Sequence, residues 1–197
     1  MRPKTLVDKY DITSSELVIG FSGRLSQEKG PDIFVEIAKL CEGIQNLRFV
    51  MTGAGPMQKD IVTQLKSLPI SVKFEFAGLV DDVNQYLDLY DVLILPSRFD
   101  GRPLVVMEAL ACGVPVIASN VGALPDLIED GKNGYLVSID NPEMFVQKIR
   151  DLVENKNLLN QLKGDSRHFA EEQLDAKKAY RNFEKALQSA IDISREQ

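Results

Sequence analysis

The sequence is poor in the residues that metal, redox and membrane chemistry require. It has no tryptophan, one histidine (His168) and two cysteines in 197 residues. Cys41 and Cys112 lie far apart with no C-x-x-C spacing, which excludes a zinc knuckle or a redox pair and predicts two free, buried thiols in a reducing compartment. There is no histidine cluster and no D-x-D spacing, so no metal site is expected. No apolar run approaches the ~18 residues of a membrane span. The opening "MRPKTLVDKYDITSSE" has no apolar core of a signal peptide. The chain reads as soluble and cytoplasmic. Lysine and arginine, 23 together, are outnumbered by 29 acidic residues, for a net charge of −6 and a pI near 4.9. That balance argues against duplex nucleic acid, whose phosphates need a basic surface, but allows a local basic pocket for a small phosphate ligand.

What is present is an ordinary globular composition, 44% apolar and 26% charged, in a chain long enough for one sizeable core. Short β-branched runs alternate with helix-period runs. "LVIGFSG" (17–23), "LRFVMTG" (47–53), "VKFEFAG" (72–78), "VLILPS" (92–97), "PVIAS" (115–119) and "GKNGYLV" (131–137) read as strands or a turn and strand. Between them, helices are predicted over 31–41, 57–68, 82–90, 104–111 and 124–129. Such alternation means βαβ units: an α/β domain with a mainly parallel sheet of about six strands and helices on both faces. After Asn141 the chain turns helical. One stripe is Phe145, Ile149, Leu152 and Val153; a second is Ala176, Ala179, Phe183, Leu187 and Ile191; both are expected to pack on the sheet layer. The organisation predicted is a tail over 1–16, a ligand-binding domain over 17–174, and a C-terminal helix and tail over 175–197.

A parallel open sheet binds ligands at the carboxyl ends of its strands, which directs attention to five loops. In "GRLSQEKG", Arg24 and Lys29 precede a helix that starts at Pro31, and two cations at a helix N-terminus suit an anion; the bland alternative is a pair of solvated charges, one of them paired with Glu28. "GAGP" (Gly53, Gly55) lacks the third glycine of a dinucleotide fingerprint, since position 58 is Gln58, and reads best as a structural turn. The third loop covers Leu79 to Asp82. The fourth, "PSRFDGRPLVVMEALACG", brings Pro103 to the first helical position and leaves the N–H groups of Leu104 to Val106 unpaired towards the cleft. Glu108 falls among apolar neighbours on that helix. There it would be buried without a partner unless a ligand or a basic group meets it, and its two oxygens suit a vicinal diol; the bland alternative is that Glu108 faces solvent and Asp100 is a turn residue. Asp100 could accept from another hydroxyl. The fifth loop, "SNVGALPD", is read as a second helix start able to face an anion. His168 is read as a surface or packing residue.

Taken in order, the blocks "GRLSQEKG", "GAGP", "FAGLV" and "PSRFDGRPLVVMEALACGVPVIASNVGALPDLIEDGKNGYLV", followed by the terminal helices, resemble the C-terminal, donor-binding domain of family 4 retaining glycosyltransferases, which have the GT-B architecture. The resemblance covers roughly Leu17 to Ile191. It implies a Rossmann-like three-layer α/β/α domain that forms one half of a GT-B enzyme. It also implies a nucleotide-diphosphate sugar as substrate, UDP-sugar favoured over GDP- or ADP-sugar, and transfer without a cofactor or metal. By this resemblance Arg24, Lys29 and Asp100 are catalytic. Arg24 and Lys29 hold the diphosphate, Asp100 contacts the sugar, and Glu108 binds the ribose hydroxyls. The backbone of Gly101, Arg102, Pro103 and Leu104 contacts sugar or phosphate, and Leu79 and Val80 lie near the base. Gly23, Gly53, Gly55 and Ser97 complete the donor site.

The sequence departs from the family pattern in four places. Asp100 stands for the usual Glu, Pro103 for a frequent Gly and Ala123 for the second Gly of a G-G pair, and the aromatic pair after the C-terminal acidic residues is absent. The match begins almost at Met1, so the resemblance implies an isolated donor domain, excised or naturally truncated, whose N-terminal acceptor domain is elsewhere and could bring it to the inner membrane surface. Three other readings are a stand-alone nucleotide-sugar-binding module, a nicotinamide oxidoreductase disfavoured by Gln58, and a purely structural interaction domain.

Overall fold

A computed structural model describes residues 2–175 together with 184 and 185. Its core is a six-stranded sheet: β1 (Leu17–Ser22), β2 (Leu47–Thr52), β3 (Phe74–Gly78), β4 (Val92–Leu95), β5 (Val116–Ser119) and β6 (Gly134–Val137). The spatial order is β3-β2-β1-β4-β5-β6 and every pairing is parallel. All residues of β2, β4 and β5 are buried, as expected of strands covered on both faces, which therefore show no polar alternation. The outer strand β3 is only half-buried.

The helices that cover the sheet follow the apolar stripes. α2 (Pro31–Leu40) buries Ile33, Phe34, Val35, Ile37 and Ala38, and contacts α3 (Gln58–Leu65) and α6 (Pro142–Glu154). α5 (Leu104–Ala111) contacts α4 (Val83–Leu89) and α7 (Lys156–Gln173). The ring of Phe34 meets Phe21 of β1 at 5.4 Å and Phe49 of β2 at 5.8 Å between centroids, an edge-rich aromatic cluster that locks α2 onto the sheet. On α6 the expected stripe is largely buried through Phe145, Ile149 and Leu152. The second predicted stripe (Ala176, Ala179, Phe183, Leu187, Ile191) lies outside the described residues.

Four expectations change. Residues 2–16, read as a polar tail, carry a helix, α1 (Lys4–Lys9), and bury Leu6 and Ile12. Their charged groups dock as well. Arg2 pairs with Asp91, and Glu16 pairs with Lys73 at 2.7 Å and with Arg48 at 3.3 Å. The helix predicted over 124–129 is a single 3-10 turn, Leu124–Asp126, so the fifth loop has no helix start to offer an anion. Pro103 is the N-cap of α5 rather than its first residue. Of the two cysteines, Cys41 is buried and its thiol is pushed up to about 12 by burial, whereas Cys112 is exposed.

Candidate functional site

The strand order reverses between β1 and β4, and an open parallel sheet leaves a crevice at such a switch point. The loops after β1 and β4 meet there. The main chain joins them first: the Arg98 N–H donates to the Glu28 carbonyl at 2.7 Å. The Arg98 guanidinium then forks onto the Asp32 carboxylate, at 3.0 and 2.6 Å, and reaches the Gln27 carbonyl at 2.8 Å. Burial alone would raise the Asp32 pKa, but the hydrogen bonds and charge of Arg98 outweigh it and hold the carboxyl below its ordinary range. Sequence reading had no signal for this clamp, because the two residues are distant in the chain.

Lys29 and Asp100 meet across the same crevice. Lys29 sits in a 3-10 turn (Gln27–Lys29) directly before Gly30, the left-handed N-cap of α2. Its Nζ donates to Asp100 Oδ2 at 2.6 Å. The Asp100 side chain is 1% exposed, so its charge would be untenable without that partner. Its other oxygen accepts the Arg102 N–H at 3.2 Å. The fifth loop closes over it from behind. The Ala123 N–H donates to the Asp100 carbonyl at 2.9 Å, and a Cβ on Gly122 would lie 2.1 Å from that oxygen. Gly53 and Gly55 act likewise in the second loop, backing onto the carbonyls of Gly23 and Leu25. This is the structural turn expected of "GAGP", and it holds the first two loops together.

A cleft of about 190 Å³ opens beside the pair, lined by Ser22, Gly23, Lys29, Arg102, Leu104 and Val105 among others. Of the N–H groups expected to be free at the helix start, Leu104 donates to the Arg102 carbonyl and Val106 to the Pro103 carbonyl. Among the described residues only the Val105 N–H has no backbone acceptor there. The larger concavities lie elsewhere; one of about 340 Å³ is lined by Arg2, Glu16 and Asp91, at the opposite ends of the strands.

The candidate site is thus a strand-switch crevice with a cation–carboxylate pair. The model of the glycosyl transferases group 1 family matches residues 4–169. The chain belongs to that family. Among the curated relatives, N-acetyl-alpha-D-glucosaminyl L-malate synthase of Bacillus anthracis is 28% identical over 91% of this chain and 47% of its own length. The chain thus spans about half the length of the curated relatives it matches. Among solved structures, HepE of Anabaena in complex with UDP and glucose superposes with a TM-score of 0.83 at 22% identity, over 94% of this chain and 51% of that one. The C-terminal domain of a glycosyl transferase group 1 family protein from Francisella tularensis superposes with a TM-score of 0.74 at 24% identity, over 81% of this chain and 87% of that one. These neighbours establish the Rossmann-like fold of a GT-B half.

The remaining candidates of this group 1 domain are placed as follows. Arg24 is exposed after β1, with no ion-pair partner among the described residues; Glu28, its expected partner or that of Lys29, pairs with neither. Glu108 is exposed rather than buried, on the same solvent-facing stripe of α5 as Leu104, which is 52% exposed. The burial argument for Glu108 therefore fails, although its place one turn from the helix start stands. Ser97 is wholly buried, with no hydrogen-bond partner for its Oγ among the described residues, and does not line the cleft. Gly101 and Arg102 are exposed, Pro103 is buried, Leu79 is exposed and Val80 half-buried. His168 is exposed on α7. Among the described residues no group of histidine, cysteine or acidic side chains could hold a metal ion, and no helix is long and apolar enough to cross a membrane.

Proposed function

We propose that this chain is the donor half of a retaining glycosyltransferase: it binds a nucleotide-diphosphate sugar for transfer to an acceptor held by an N-terminal domain of the same enzyme. The observation that carries the reading is the Lys29–Asp100 pair at the mouth of the switch-point cleft, with Arg24 exposed on the same loop as Lys29 and the Val105 N–H on the cleft lining without a backbone acceptor among the described residues. As the bond from the sugar C1 to the diphosphate breaks, negative charge grows on the leaving group. Arg24, Lys29 and the helix start would stabilise it in a site already oriented for that charge. On this reading the transfer proceeds without a divalent metal. Glu108, exposed one turn further along α5, is assigned the ribose hydroxyls, and Asp100 the sugar. UDP is the favoured nucleotide, because fold neighbours such as the Anabaena protein hold UDP.

Calorimetry with UDP, GDP and ADP tests this. Binding of UDP, tightest of the three, is expected, with little or no turnover of a UDP-sugar by the chain alone, since no acceptor is positioned. Glu108→Ala removes a charged hydrogen-bonding group and should weaken UDP by about 1.5–3 kcal/mol, roughly ten- to a hundredfold. Unchanged affinity would overturn the ribose assignment, and silence with all three nucleotides would overturn the donor reading.

A further inference from the structure

The charges around the cleft are not those of two free cations, and on the donor-cleft reading this has a consequence. Lys29 is already neutralised: its Nζ lies 2.6 Å from a carboxylate that is 1% exposed and has no other cation partner among the described residues. An incoming anion therefore meets Lys29 as half of a dipole. Arg98, on the loop after β4, is occupied by Asp32 and the Gln27 carbonyl. Arg102 differs from both. It lines the cleft beside Lys29 and is exposed, its main chain is fixed by the N–H···Oδ1 bond to Asp100, and its guanidinium has no hydrogen bond or ion pair among the described residues.

We propose that the Arg102 guanidinium is a direct phosphate ligand of this cleft, a third cation that binds the diphosphate of the donor. Three features point to it. The group is a planar fork that matches two phosphate oxygens at once, whereas an ammonium offers a point charge. Its backbone is held by the residue that neutralises Lys29, so one carboxylate sets both cations in register. And it supplies positive charge where the Lys29–Asp100 pair supplies little: Arg24 and Arg102 together then balance the two negative charges of a diphosphate ester.

The test is calorimetry of UDP and of uridine on the full chain, wild type and Arg102→Gln. Arg102 is exposed, so the variant should keep the wild-type melting temperature. UDP should weaken about tenfold or more, while uridine stays within twofold. The salt dependence of UDP binding should also be shallower in the variant, because one phosphate contact is gone. UDP affinity unchanged within twofold overturns the proposal, and so does an equal loss for UDP and uridine, which would place Arg102 on the nucleoside or on the fold. If the wild type binds none of UDP, GDP and ADP, the donor reading falls separately and inorganic pyrophosphate becomes the probe. Pyrophosphate binding that Arg102→Gln abolishes would sustain the anion site, and no pyrophosphate binding would overturn it.

Discussion

Asp100 shows how far a single residue's role depends on contacts that no spacing encodes. Its sequence neighbours mark it as a turn residue, and the family pattern marks it as a sugar contact. In the fold it is buried, with one oxygen on Lys29 and the other on the Arg102 N–H. The shorter aspartate is thus held inside the crevice rather than at its rim. Its position depends on Gly122, whose φ of +57° and missing Cβ let the fifth loop lie against the Asp100 carbonyl. Gly122→Ala should cost about 2 kcal/mol or more, from left-handed strain and the displaced carbonyl. Gly101→Ala, whose added Cβ would make ordinary contact with the Phe99 ring at 3.5 Å, should be close to neutral. Urea denaturation of the two variants checks the contrast; equal midpoints would remove Gly122 from the support of the site. The exposure of Glu108 is decided at this same scale. A helix of mostly apolar residues suggested all-round burial, but an i, i+4 stripe through Leu104 and Glu108 faces out.

At the scale of elements, what was legible followed the strength of the pattern. The six strands and α2 to α6 were readable because each buried strand is a continuous apolar run and each helix an amphipathic one. α1 was not, because it contributes a single buried apolar residue, Leu6, and the ion pairs that dock this segment, at Arg2 and Glu16, lie on either side of the helix. The most enclosed of these attachments is Glu16. Burial works against its ionisation, but the hydrogen bonds from Lys73 and the Thr13 N–H and the charge of Arg48 prevail, so its pKa lies below the usual 4.5. A carboxyl depressed in the folded state stabilises it above the unfolded pKa, and that stability disappears as pH falls through the folded value. Glu16→Gln should therefore lose about 3 kcal/mol near pH 7, where Arg48 is left partly unpaired. As pH falls below the ordinary glutamate pKa of about 4.3 the deficit relative to wild type should shrink, because the unfolded carboxyl takes up its proton first and the folded one follows at its lower value. Thermal unfolding from pH 3 to 7 measures both; a deficit independent of pH would mean that Glu16 acts through packing alone.

At the scale of the whole molecule, the strand order makes the site, and the order cannot be read from alternation, which fits several sheet arrangements equally. Placing β4 against β1 sets the loops after these two strands side by side and divides the sheet into halves, β3-β2-β1 and β4-β5-β6. A ligand in the cleft would touch both halves, so its binding should stabilise the fold as a unit and not merely order one loop. At a hundred times its dissociation constant, a ligand specific for the folded state adds about 2.7 kcal/mol. For a chain of this size each kcal/mol raises the melting temperature by roughly 2–4 °C, so UDP should raise it by about 5–10 °C in one sharpened transition. Uridine at the same concentration should give a smaller shift, and Glu108→Ala should reduce the UDP shift without altering the melting temperature of the free protein, because the Glu108 side chain is exposed and has no ion pair among the described residues. A UDP shift confined to one of two separate transitions would show that the halves unfold independently and that the cleft belongs to only one of them.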